Sequence, residues 1–155
     1  MAMQSPPDFK RIFEGSPAAY LILSPEFRIV AVSDAYLGAT MTTREQIVGK
    51  ELFEVFPNNP NDPKADGVQK LTHSLKQVLR TKQPHVMGIQ KYDIPKPDGS
   101  FETRYWRPTN SPVLGDTGDI LYLTHRVEDV TNMLDALDDA MDLHESAASS
   151  DLPQT

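Results

Sequence analysis

Four side chains that could recognise a ligand lie in two neighbouring stretches of the chain. Arg104, Trp106 and Asn110 occupy alternating positions of one stretch, and His125 lies in the next. Alternating residues share one face of a strand, and Arg126, on the opposite parity, is better left in water. An inward arginine beside a neutral histidine could hold an anionic or carbonyl-bearing ligand, with the indole as an apolar wall. The same side chains could instead bond to one another and form a polar core without a ligand.

Three strands are predicted to position these residues, over 85–94, 101–114 and 120–130. The sequences Pro-Asp-Gly (97–99) and Gly-Asp-Thr-Gly (115–118) are short turns of the kind that join antiparallel neighbours. Pro112 indicates a bulge or a sheet edge. Alternation places further residues on the same inner face, namely Gln90, Tyr92, Ile94, Pro108, Leu121, Leu123 and Val127.

The preceding chain predicts a short helix after Ser5, a hairpin over 20–32 and several short helices up to Phe56. A longer helix follows from about Asp62 to Lys82, with one apolar stripe. After the third strand the apolar period changes from two to about 3.6, which predicts a C-terminal helix. These elements together indicate the α+β class.

Composition limits the possible chemistry. The 155 residues include no cysteine, which excludes disulfides, thiolate metal ligands and thiol catalysis. Residues 132–155 contain six acidic and no Lys or Arg residues, so residues 1–131 hold 16 acidic against 15 basic residues, or −1. This balance provides no basic stripe for nucleic acid. The sequence predicts no membrane span and no export signal, so we expect a cytoplasmic protein.

Catalytic and metal-binding patterns are not found. The chain lacks the phosphate-loop and H-E-x-x-H motifs. Strand parity places Asp93, Glu102 and Glu128 outward, so no carboxylate is expected beside His125. We therefore expect neither an enzyme nor a metal site, with a small α+β enzyme as the lesser alternative.

Four segments, in order, resemble a PAS domain: Asp-Phe-Lys-Arg-Ile-Phe-Glu-Gly-Ser-Pro (8–17), Ile-Val-Gly-Lys-Glu-Leu-Phe-Glu-Val-Phe-Pro (47–57), Lys-Pro-Asp-Gly (96–99) and Glu-Asp-Val-Thr (128–131). The resemblance implies a five-stranded antiparallel sheet in the order 2-1-5-4-3. It places helices over one sheet face, with further helices at both ends. It also implies an N-terminal sensor module of a signalling protein, such as the histidine kinase of a two-component system, or an interaction module without a ligand.

The resemblance implies that any small ligand lies between the inner sheet face and the helices. The candidate pocket residues are Arg104, Trp106, Asn110, His125, Tyr92, Gln90 and Leu123. Asp129 and Thr131 mark the exit through which a signal would reach the C-terminal helix. Haem is disfavoured because His73 points away from the apolar stripe of its helix. The cysteine of light-sensing flavin-binding members is missing, so the cofactor is left unassigned.

The expected domain boundaries are an N-terminal extension (1–7), the PAS domain (8–131), a C-terminal helix (132–145) and a disordered tail (146–155). Residues 1–3 could be foreign to the natural chain. The 4-3-4 spacing of Val130, Leu134, Leu137 and Met141 resembles a coiled-coil seam. We therefore expect a homodimer with a downstream kinase or other output domain. The candidate interface residues are Phe9, Ile12, Phe13, Leu134, Leu137 and Met141.

Overall fold

The computed structural model describes residues 5–150, and side-chain surroundings for residues 5–141. The helices are α1 (Phe9–Glu14), α2 (Asp34–Thr40), α3 (Arg44–Ile47), α4 (Leu52–Val55), α5 (Gly67–Thr81) and α6 (Thr131–Ser150). The strands are β1 (Ala19–Leu23), β2 (Ile29–Val32), β3 (His85–Val86), β4 (Gln90–Lys91), β5 (Ile94–Pro95), β6 (Phe101–Glu102), β7 (Tyr105–Leu114) and β8 (Ile120–Asp129).

The main sheet is antiparallel and follows the order β2-β1-β8-β7-β3, with β4 also paired to β7. This order confirms the predicted 2-1-5-4-3 arrangement and the α+β class. The predicted strand 85–94 is wrong as a continuous element, because it is interrupted after Val86. Met87 donates its backbone N–H to the Pro108 carbonyl, but Pro108 has no N–H to return. Gly88 follows and further disfavours a strand.

Helices α2 to α5 and the inner sheet face enclose the core. The α5 stripe buries Leu71, Leu75 and Val78, while His73 on the same helix is exposed, as predicted. Helix α5 begins later than predicted because Asp62 accepts the backbone N–H of Lys64 in a local turn. The expected cap of α1 also shifts, from Ser5 to Asp8.

The predicted parity of β7 and β8 is mostly correct. Trp106, Asn110, Leu123 and His125 are all buried. Leu121 is an exception and is 50% exposed. The pairing of β7 with β8 shifts register between Val113 and Leu114, which leaves Leu121 without a partner on β7, and Ile120 packs against the core instead.

The sheet passes directly into α6 through a bonded junction. Asp129 Oδ1 accepts the Thr131 backbone N–H at 3.0 Å, and Thr131 Oγ1 accepts the Tyr105 N–H at 2.9 Å. The Val130 N–H donates to the Tyr105 carbonyl at 2.9 Å, and its side chain is buried. The first turn of α6 is therefore attached to the start of β7.

Helix α6 continues through Ser150, five residues past the boundary expected for it. Residues 146–150 of the expected disordered tail are therefore helical, and residues 151–155 lie outside the described residues, as do residues 1–4. Within residues 5–150, none of the helices has the length and apolar character needed to cross a membrane.

Candidate functional site

A cavity of about 40 Å³ lies between the inner sheet face and helices α2, α4 and α5. By volume it has room for roughly three water molecules. Its lining is largely apolar and, among the described residues, contains no charged side chain. The lining residues are Tyr36, Thr40, Leu52, Phe56, Gly67, Leu71, Met87, Gln90, Tyr92, Ile94, Trp106, Pro108, His125 and Val127.

His125 is the titratable imidazole on this lining. Its Nδ1 lies 2.7 Å from Asn110 Oδ1, and its ring packs edge-on against Tyr36 at 6.2 Å between centroids. Burial lowers the pKa of His125 to about 4, because the charged imidazolium would lose its hydration. His125 is therefore neutral at pH 7.

Asn110 connects His125 to helix α5 and the sheet edge. Its Nδ2 donates to Ser74 Oγ at 2.8 Å and approaches Met87 Sδ at 3.5 Å. Ser74 Oγ lies 2.6 Å from Nδ1 of the half-buried His85. A hydrogen-bonded row therefore crosses the inner face from the cavity to β3.

Tyr92 and Trp106 form a second bonded unit at the cavity wall. Trp106 Nε1 donates to the Tyr92 carbonyl at 2.9 Å, and the Tyr92 hydroxyl donates to the Phe56 carbonyl at 2.5 Å. The Tyr92 ring packs on Gly67, where an added Cβ would lie 2.4 Å from Tyr92 Cδ2. Burial raises the pKa of Tyr92 and, more strongly, that of Tyr36, so both hydroxyls stay protonated.

The expectation that Arg104 joins this cluster is wrong. Arg104 precedes β7, where its guanidinium reaches two carboxylates instead of the cavity. It pairs with Asp129 Oδ2 at 2.6 Å and with Glu102 Oε2 at 2.6 Å. Burial raises the pKa of Asp129, but the hydrogen bonds from Thr131 and the Arg104 pair outweigh this effect, and the pKa is lowered. Arg104 therefore belongs to the junction with α6.

Of the other expected pocket residues, some lie on the cavity lining and some lie in the core beside it. Gln90 lines the cavity, and its amide donates to the Gly88 carbonyl at 3.1 Å. Leu123 is fully buried in the core, and Asn110 lies behind His125 instead of on the lining.

Asp93 is buried, contrary to the outward position predicted from strand parity. Its Oδ2 accepts a hydrogen bond from Asn59 Nδ2 at 3.0 Å, and Lys91 Nζ lies 3.9 Å away. The register fails here because residues 92–93 leave the strand between β4 and β5. Asp93 lines a separate polar pocket, which Tyr92 also borders.

Sequence reasoning did not identify part of the helical half of the lining, namely Tyr36, Thr40 and Gly67. The available signal was the capping pattern of α2, in which Ser33 accepts the Tyr36 N–H and so begins the helix at Asp34. Among the described residues, no group of three or more His, Asp or Glu side chains could hold a metal ion.

The candidate interface residues lie on both terminal helices. Phe9 and Ile12 on α1 are 73% and 62% exposed, and Leu137 and Met141 on α6 are 53% and 54% exposed. Phe13 and Leu134 are partly buried, and the Phe13 ring packs against Tyr20 at 6.2 Å. The structure thus leaves most of this apolar surface uncovered within the described chain.

Solved structures of the same fold were found in comparisons with known proteins. The PAS domain of a Colwellia psychrerythraea protein matches with a TM-score of 0.61 and 12% identity, covering 79% of this chain and 93% of its own. A sensory box sensor histidine kinase from Vibrio cholerae matches with a TM-score of 0.54 and 19% identity, over 79% and 89%. The PAS domain of Bordetella pertussis BvgS matches with a TM-score of 0.58 and 22% identity, over 89% and 95%.

A search of curated proteins found no match. A family model described as the PAS fold, however, matches residues 13–133. This range is most of the chain and includes both the cavity and the junction between β8 and α6. The chain therefore belongs to the PAS fold family.

Proposed function

We propose that this PAS domain is a sensory module in which a small molecule in the cavity alters the connection between β8 and α6. The observation that carries the proposal is the placement of two groups on one strand. His125 lines the cavity, and Asp129, four residues later on β8, holds the junction. A ligand that contacts His125 therefore acts on the element that begins α6.

The cavity supports a ligand-binding role through its chemistry. It is largely apolar, with a few polar groups that could orient a ligand. The size of the cavity restricts the ligand to a few non-hydrogen atoms unless the wall moves.

Mass spectrometry of small molecules released from natively purified protein would test ligand binding. Leu71→Phe should fill the cavity from α5 and abolish the released compound. Val113→Phe, on a partly exposed side chain outside the cavity, is the matched control. Identical small-molecule profiles from both variants, or no compound from the wild-type chain, would contradict the proposal and favour a module that acts through protein contacts alone.

Transmission of the signal requires a separate measurement. Occupancy of the cavity should change hydrogen exchange at residues 131–134, which follow the Asp129–Thr131 junction. Unchanged exchange in a chain that demonstrably binds its ligand would contradict the proposed route.

The proposed output arrangement is a homodimer that passes the signal to a domain joined to α6, such as a histidine kinase. The exposed apolar side chains of α1 and α6 support self-association. A sensor histidine kinase is among the proteins of similar fold. The cytoplasmic location expected from the sequence remains a prediction.

A further inference from the structure

The hydrogen bonds around Asn110 have a defined direction. One end of its amide faces Ser74 Oγ at 2.8 Å and Met87 Sδ at 3.5 Å. The thioether sulfur can accept but not donate, so the NH₂ group suits this end and the carbonyl oxygen does not. Oδ1 therefore faces His125.

This direction fixes the tautomer of His125. Asn110 Oδ1 can only accept, so the His125 Nδ1, 2.7 Å away, must carry a hydrogen. A neutral imidazole has one ring N–H, and the other nitrogen, Nε2, then presents a lone pair. The rest of the row agrees, because Ser74 Oγ accepts from Asn110 and keeps its own hydrogen for His85 Nδ1.

Most other polar groups on the cavity lining are already engaged. The Thr40 hydroxyl donates to the Tyr36 carbonyl at 2.8 Å, and the Tyr92 hydroxyl donates to the Phe56 carbonyl. The Gln90 amide gives one N–H to the Gly88 carbonyl, and its other N–H and its carbonyl oxygen suit a ligand of either kind. The Tyr36 hydroxyl can either donate or accept and so adapts to a ligand of either kind. His125 Nε2 is therefore the group that distinguishes a hydrogen-bond donor from an acceptor.

We infer, on the basis of the proposed function, that the cavity takes a small neutral ligand that donates one N–H or O–H hydrogen bond to His125 Nε2. Asn110 is then the specificity-determining residue, since it holds the lone pair toward the ligand without contacting it. An anion, the ligand that an inward Arg104 would have suited, finds no cation on this lining within the part of the chain that the structure describes.

The test compares two isomers with three non-hydrogen atoms each, which suits a cavity of this size. Ethanol has an O–H donor and dimethyl ether has none, while formate represents an anion. Titrations of the isotope-labelled full chain by NMR should give a dissociation constant for ethanol roughly three- to tenfold below that for dimethyl ether, the worth of one net hydrogen bond. Formate should not bind.

Nitrogen-15 NMR of the ligand-free chain reports the tautomer directly and does not depend on any variant folding. The hydrogen should be found on Nδ1 of His125. In Asn110→Leu the preference for ethanol over dimethyl ether should disappear. His73→Gln, which removes an exposed histidine of α5, should leave both the tautomer and the preference unchanged.

The outcomes separate this inference from the proposed function. A hydrogen on Nε2, or dimethyl ether or formate binding at least as tightly as ethanol, would overturn the inference but leave a ligand cavity. Failure of all three probes to bind, with the hydrogen on Nδ1, would count against the cavity as a ligand site and so against both proposals.

Discussion

The neutral, buried His125 makes the stability of the fold depend on pH. Its pKa falls to about 4 in the folded chain, whereas an unfolded histidine titrates near 6.5. Between these values the unfolded chain binds a proton that the folded chain rejects. Stability contributed by this group is therefore complete above pH 6.5 and decreases as pH falls toward 4, by about 3 kcal/mol.

Urea unfolding at pH 7 and pH 4.5 measures this loss. His125→Gln should lose less unfolding free energy on acidification than wild type. Both proteins share the contribution of the carboxylates, so subtracting one loss from the other leaves the contribution of His125. His73→Gln, an exposed histidine, should behave like wild type. Parallel pH profiles for wild type and His125→Gln would contradict the prediction.

Gly67 is required because the Tyr92 ring occupies the space where a side chain would begin. An added Cβ would lie 2.4 Å from Tyr92 Cδ2, so Gly67→Ala should displace the ring and cost about 1–3 kcal/mol in unfolding free energy. In α2, Gly38 has nothing within 4 Å of the corresponding position, and Gly38→Ala should stabilise the chain by about 1 kcal/mol.

A double variant identifies the ring as the cause. Adding Gly67→Ala to Tyr92→Leu should cost little, because the shorter side chain leaves the space free. Equal costs in the two backgrounds, measured by urea unfolding, would show that the helix backbone and not the ring resists the alanine.

Residue-level prediction succeeded where strands are regular. Alternation alone placed Trp106, Asn110 and His125 on one buried face. It failed at Arg104 and Asp93 because both residues lie where the chain has left the ladder, so that strand parity no longer applies. The helical side of the cavity depends on how α2 and α5 dock, which no local pattern specifies.

At the scale of elements, Arg104 links β7 to the start of α6 by pairing with Asp129 while also binding Glu102. Arg104→Gln should therefore accelerate hydrogen exchange in the first turn of α6 roughly fivefold, equivalent to about 1 kcal/mol for a partly buried charged hydrogen bond. Hydrogen exchange followed by NMR or mass spectrometry measures the ratio of the exchange rates in the variant and the wild type.

Arg107 supplies the matched control. It pairs with Glu128 at 2.6 Å one rung away, but both side chains are nearly half exposed, at 46% and 47%. Arg107→Gln should change exchange little, since exposed pairs contribute little. Equal effects of the two substitutions would mean that general charge loss, not the junction, controls α6.

Element prediction from sequence was accurate for order and less so for continuity. Turn chemistry correctly paired β7 with β8, because Gly118 adopts a positive φ of 84° that suits a tight link. The interruption between β3 and β4 depends on Pro108 facing Met87 across the sheet. That contact joins residues 21 positions apart, so it is visible only once the register is known.

At the scale of the whole molecule, the exposed apolar side chains of α1 and α6 predict a dimer at tens of micromolar. Light scattering of Ile12→Glu and Leu137→Glu should show monomers, whereas Ile89→Glu, an exposed position near the sheet edge, should not alter the mass. Exposed Asp135, Asp138 and Asp139 repel across a parallel pair of α6 helices, so physiological salt should strengthen association. A wild-type monomer at both low and physiological salt would contradict the prediction.

The pairing of β8 limits the kind of motion that could reach α6. Five of its residues are in register with β1 and nine with β7. A piston-like slide of β8 by one residue would have to break both ladders and would turn His125 out of the core. Twisting of the strand keeps every rung, so we expect α6 to rotate about its own axis. A helix that continues from α6 would then rotate with it. The effect on that helix would depend on the number of residues between it and α6, which sets its rotational phase, more than on the distance between the two.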